Sequence, residues 1–171
     1  MKTLVLGIGN PILSDDGAGI HVARALQSRF SHPEVTVTEA SIAGLDMLDF
    51  LSGYDRVIIV DAIQTRAGKA GYIYRFTPDA LVATQHTATP HDVNFATALA
   101  LGQRLGITLP QRITIFAIEA ADVTSFSEKC TPKVENAVSG CVEMIMQELA
   151  GYGITCMAKV AGVAEVKDAS V

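Results

Sequence analysis

The chain has 171 residues, a net charge of −5 and no cluster of Lys or Arg, a balance that argues against nucleic acid as a partner. Apolar residues make up 49% of it, enough for one domain with a substantial core, yet no apolar run approaches the ~20 residues that span a bilayer. The first strand follows Met1, Lys2 and Thr3 directly, which leaves no room for a signal peptide, so the expectation is a cytoplasmic protein that inserts into no membrane.

The opening stretch runs from Leu4 to Ile20. Leu4, Val5 and Leu6 begin a short apolar run that Gly7, Gly9, Asn10 and Pro11 stop, which predicts a buried strand ending in a tight turn. Ser14, Asp15, Asp16 and Gly17 follow, and Ser14 or Asp15 is expected to cap a first helix over 16–30. Asp16 is thereby a carboxylate at the carboxyl end of a central strand, the edge where ligands bind in open α/β sheets. With no third glycine and no Gly-Lys pair the turn makes a poor phosphate cradle, and its two acids suit a cation.

Val35 to Glu39 alternates and predicts a second strand, which runs into a small-residue loop from Glu39 to Gly44. A short helix over 44–51 follows. Arg56 to Ala62 carries four consecutive β-branched residues, the mark of a strand buried on both faces, and Asp61 closes it. The turn around Gly68 and Gly71 is too short for a crossover helix, so Tyr72 to Phe76 is expected to run antiparallel at an edge.

A polar loop holding His86 and His91 precedes a helix from Asp92 to about Gly106; His91, directly after Pro90, is the candidate metal ligand of the pair. Arg112 to Glu119 is the last strand and also ends in an acid. Thr131 and Pro132 are expected to cap and open the final helix, which runs to Leu149. The three cysteines, Cys130, Cys141 and Cys156, are odd in number and widely spaced; reduced thiols are expected, with Cys130 and Cys141 as small buried hydrophobes. A single domain over 1–152 and a poorly ordered tail over 153–171 complete the reading.

This order of elements gives a three-layer α/β fold: a mainly parallel, twisted sheet of about five strands with one antiparallel edge strand and helices on both faces. Asp16, Asp61 and His91 then offer two oxygens and one nitrogen at one edge. Such a set suits a borderline divalent metal and leaves coordination positions open.

The blocks Leu4 to Asn10 with Ser14 to Gly19, Ile59 to Ala62, and Thr89 to His91 resemble, in this order, the signature of the hydrogenase maturation endopeptidases. The resemblance covers roughly residues 1–151. It implies an enzyme that removes the C-terminal extension of a [NiFe] hydrogenase large-subunit precursor after nickel insertion. Asp16, Asp61 and His91 would bind the nickel, which the precursor supplies and for which other divalent cations may substitute. Asp16 and Asp61 are the candidate catalytic acids, and Glu39 and Gly44 the candidate substrate-binding residues. The precursor is the expected partner of a monomeric enzyme. The alternative is a nickel-sensing chaperone that binds the precursor without cutting it.

Overall fold

The computed structural model describes residues 1–42, 46–78, 80 and 90–156, of which 90–96 only as backbone. Five strands form one sheet: β1 (Thr3–Ile8), β2 (Val35–Ala40), β3 (Arg56–Ile63), β4 (Ile73–Phe76) and β5 (Arg112–Glu119). Their order across the sheet is β2-β1-β3-β5-β4, all parallel except β4, which runs antiparallel to β5 at the edge. The helices are α1 (Ala18–Arg29), α2 (Met47–Leu51), α3 (Pro90–Arg104) and α4 (Pro132–Gly151), and a 3₁₀ turn over Ser14–Gly17 leads into α1. The fold class expected from the sequence is the one observed.

Parity along the central strands divides the core. Val5, Ile58, Val60, Phe116 and Ile118 face α1 and α4, meeting Val22, Leu26, Val142, Ile145 and Leu149. Leu4, Leu6, Val57, Ile59 and Ile115 face the other way, against Met47 and Leu51 of α2 and Leu99 of α3. β3 lies between two parallel neighbours, so both its faces are covered, and Val57 to Val60 are each at most 3% exposed. Cys130 and Cys141 are buried among apolar neighbours, as expected from their setting.

Three boundaries differ from the sequence reading. The first helix begins at Ala18, two residues late, because Ser14–Gly17 takes a 3₁₀ turn. β3 does not close at Asp61 but runs on to Ile63, because β5 offers Ala117, Ile118 and Glu119 as partners there. β1, by contrast, leaves β3 after the Gly7–Val60 pair. The last residues of β3 therefore have a strand on one side only. The third helix starts at Pro90. Of the expected tail, Ile154 is buried against the α1–α4 side of the core, and residues 157–171 lie outside the described residues.

Candidate active site at the sheet switch point

From β1 the chain crosses to β2 on one side, and β3 then returns on the other side of β1. The divergence leaves a crevice outside the carboxyl ends of β1 and β3, where open α/β sheets bind their ligands. Gly9, Asp16 and Asp61 border that crevice.

The backbone there is packed to contact. A Cβ on Gly19 would lie 2.2 Å from the Val60 carbonyl oxygen and 2.3 Å from that of Ile8, so a side chain at this position would push the start of α1 off both strands. Gly9 has φ +145, a conformation closed to most L-residues, and a Cβ on it would lie 1.9 Å from the Asp16 carbonyl oxygen. The two glycines fix the 3₁₀ turn, and with it Asp16, directly over the strand ends.

Four acids reach this edge, and the structure divides them into two kinds. Asp15 is fully buried, and its carboxylate accepts four hydrogen bonds: from the amides of Ala121 (2.8 Å), Asp122 (3.0 Å) and Thr131 (2.6 Å), and from the Thr131 hydroxyl (2.9 Å). It ties the β1–α1 turn to the β5–α4 loop. The expected cap on α1 is absent; Gly17 holds that position, and neither Ser14 nor Asp15 bonds an α1 amide. Thr131 does occupy the N-cap position of α4, with Pro132 next, but its hydroxyl is given to Asp15 instead of the helix. Glu119 is 2% exposed and accepts the amide and hydroxyl of Thr65 at 2.7 and 3.1 Å. It anchors the β3–β4 connection, which lies so close that a Cβ on Gly68 would lie 1.9 Å from the Glu119 carboxyl carbon.

Asp16 and Asp61 are of the other kind, half-buried at the crevice. Asp16 Oδ2 accepts the Asn10 amide at 2.9 Å, and its second oxygen has no hydrogen bond among the described residues. Asp61 Oδ1 accepts the Ala62 amide at 2.8 Å, a local bond that turns the carboxylate along its own strand. The two acids flank the point where β1 and β3 part, Asp16 in the turn that follows β1 and Asp61 within β3.

The remaining expected site residues fall as follows. His91 is the second residue of α3, at the end of that helix remote from its short connection into β5; its side chain lies outside the described residues. Among the described residues no three His, Cys, Asp or Glu side chains are grouped to hold a metal. Two carboxylates at the crevice and an imidazole from α3 make a donor set that fits a borderline divalent ion. Glu39 lies at the end of β2 in a two-bond fork with Arg24 of α1, both bonds 2.8 Å long. Gly44 lies outside the described residues.

The loop after β5 is stitched along the turn that carries Asp16. Leu13 and Ser127 pair as a parallel bridge, Ser14 donates its amide to the Ser127 carbonyl (2.8 Å), and Ser127 donates to the Ile12 carbonyl (3.0 Å). Ser14 is held at φ +48, an unfavourable conformation for a non-glycine residue that these bonds sustain. Asp122 accepts the Thr124 and Ser125 amides, both at 3.0 Å; these bonds and one from the Ser125 hydroxyl hold its carboxyl well below the usual range. The two buried thiols offer no rival nucleophile. Burial pushes Cys130 up to about 11 and Cys141 up to about 12, so neither is a thiolate at neutral pH.

The family model described as hydrogenase maturation protease matches residues 20–148, three quarters of the chain and inclusive of Asp61 and His91. The chain belongs to the hydrogenase maturation protease family. Asp16 lies just before the matched residues, within the span shared with full-length members. Among these is a Hydrogenase 2 maturation protease from Escherichia coli, 26% identical over 90% of this chain and 94% of its own length. Another is a hydrogenase expression/formation protein, HupD, from Bradyrhizobium diazoefficiens, 25% identical over 96% of this chain and 86% of its own. The solved structure of the maturating endopeptidase HybD from Escherichia coli has the same fold, with a TM-score of 0.80 over 92% of this chain and 97% of its own at 24% identity. No helix among the described residues is long and apolar enough to cross a membrane.

Proposed function

We propose that this family member is the endopeptidase that removes the C-terminal extension of a [NiFe] hydrogenase large-subunit precursor, and that it reads nickel already seated in that precursor. One observation carries the reading beyond the family. Of the four acids at the switch point, Asp15 and Glu119 are buried, whereas Asp16 and Asp61 are half-buried at the crevice. Two half-buried carboxylates at one crevice supply oxygen donors suited to a divalent cation.

In this reading the nickel belongs to the substrate. Asp16 and Asp61, with His91 from the start of α3, donate to coordination positions that the precursor leaves open, and a precursor without metal has nothing to dock on. The extension then lies along the crevice. Asp16 or Asp61 accepts a proton from a water molecule that attacks the scissile carbonyl, and returns it to the departing amide nitrogen. Peptide hydrolysis by a positioned water requires no thiol, in keeping with the neutral Cys130 and Cys141.

The test is a processing assay. Nickel-loaded and nickel-free precursor are incubated with the protein and weighed by mass spectrometry. Loss of a short C-terminal peptide from the nickel-loaded sample alone is expected, and Asp16→Asn, Asp61→Asn and His91→Ala should each lower the rate at least 100-fold. Binding without a change in mass would establish a nickel-sensing chaperone instead. Processing that survives Asp16→Asn and His91→Ala would end the assignment of the site. Glu39 is assigned here to holding β2 on α1 through Arg24, with any contact to the extension additional; Glu39→Gln that raises KM with kcat unchanged would reveal such a contact.

A further inference from the structure

Five large apolar side chains are exposed among the described residues: Met1, Ile12, Tyr72, Leu105 and Phe126. Met1 precedes β1 and Leu105 follows α3, both at the end of the sheet remote from the crevice. Ile12, Tyr72 and Phe126 all lie at the crevice end: Ile12 in the β1–α1 turn, Tyr72 bonded through its carbonyl to the Glu119 amide, and Phe126 in the β5–α4 loop. Exposed apolar groups gathered at one edge mark a surface that another protein covers.

Phe126 stands out among them. It is 85% exposed, so it contributes almost nothing to the core. Its loop is nevertheless fixed on every side. Asp15 grips Ala121, Asp122 and Thr131; Asp122 turns the chain through Thr124 and Ser125; Ser127 bridges to Leu13 and bonds Lys129 through its hydroxyl. A rigid loop that holds an aromatic ring in water has already met the ordering cost of an interface anchor. Ile12, 48% exposed, accompanies it, because the Ile12 carbonyl takes the Ser127 amide.

We propose that Phe126, with Ile12 beside it, is the anchor by which the folded precursor docks, inserting into an apolar recess on the precursor surface next to its extension. The inference rests on the processing function proposed above. The occupant follows from continuity: Ile12 and Asp16 are on one turn, and the Phe126 loop is hydrogen-bonded along that turn. A folded protein that brings a metal to Asp16 approaches the turn that carries Ile12 and the loop bonded along it.

The test compares Phe126→Ser and the double variant Ile12→Ser/Phe126→Ser with Leu105→Ser, an exposed apolar position at the opposite end. Binding to nickel-loaded precursor and steady-state processing are both measured, with thermal midpoints to confirm folding. Phe126→Ser should raise Kd and KM at least tenfold with kcat within twofold, the double variant should raise them further, and Leu105→Ser should change neither. Equal Kd and KM for Phe126→Ser and wild type, with wild type active, would overturn the anchor and leave the function standing. A wild type that binds but does not cut would overturn the endopeptidase reading, while the Kd comparison still decides the anchor. A wild type that does neither would overturn both.

Discussion

Asp15 and Asp16 are adjacent, identical in chemistry and opposite in assignment, and this is open to direct measurement. Asp15→Asn keeps the shape of the side chain. It replaces one acceptor oxygen by an NH₂ group; with that group in the Oδ1 position the bond from the Thr131 amide is lost, and the three to Oδ2, from Ala121, Asp122 and the Thr131 hydroxyl, become neutral. Hydrogen bonds to a charged group contribute about 1.5–3 kcal/mol each, so one lost bond and three weakened ones should cost the variant roughly 2–4 kcal/mol of stability. For a domain of this size that is a fall of roughly 5–15 °C in Tm. Asp16→Asn retains an oxygen for its single bond from Asn10 and should change stability by less than about 1 kcal/mol. Urea unfolding of the two variants beside wild type reads the difference. An Asp15→Asn variant within about 0.5 kcal/mol of wild type would refute the argument that this carboxylate secures the loop.

Gly9→Ala should cost roughly 2–4 kcal/mol, because φ +145 is strained for alanine and its Cβ would collide with the Asp16 carbonyl; an unchanged urea midpoint would contradict the close packing there. Glu148 supplies a pH test. Burial alone would raise its pKa, but the bonds from Arg75, Tyr152 and Thr114 prevail and hold it below the ordinary range. A depressed folded-state pKa stabilises in full above the unfolded value of about 4.3 and is lost as pH falls through the folded one. Stability should therefore decline on acidification below about pH 4.5, less steeply in Glu148→Gln, as urea midpoints between pH 3 and 7 would show. Asp122, also depressed, contributes with the same sign. Iodoacetamide at pH 7.5 should label Cys156 in the folded protein and all three cysteines only in denaturant, and processing should survive the labelling; loss of processing would reinstate a thiol.

The sheet was legible in the sequence because its strands declare their burial. Val57 to Val60 read as covered on both faces, and the short turn after Ile63 allowed β4 no direction but antiparallel. The placement of Asp16 and Asp61 followed from the same logic, since glycines and strand ends lie near them in the chain. Asp15 was misread for a physical reason. A cap is a local bond, whereas its partners lie more than 100 residues away, at Ala121, Asp122 and Thr131, and nothing in the spacing of the first turn announces them. Glu119 read only as an acid at a strand end for the same reason; its bonds to Thr65 exist only because β3 and β5 end side by side. The exposed ring of Phe126 had no periodic signal at all, being a single aromatic residue in an irregular loop.

Asp15 also sets an order of events during synthesis. The turn that presents Asp16 is made more than 100 residues before the donors that secure it, which belong to β5's exit loop and the head of α4. Until Thr131 has emerged, a nascent chain can build β1 to β3 but must leave the Asp15 carboxylate in water and Ser14 free to relax from its left-handed conformation. The bonds between the turn and the loop beside it can therefore form only after the head of the last helix has been made. A chain interrupted before Thr131 would retain both crevice acids and still lack the closure that aims them.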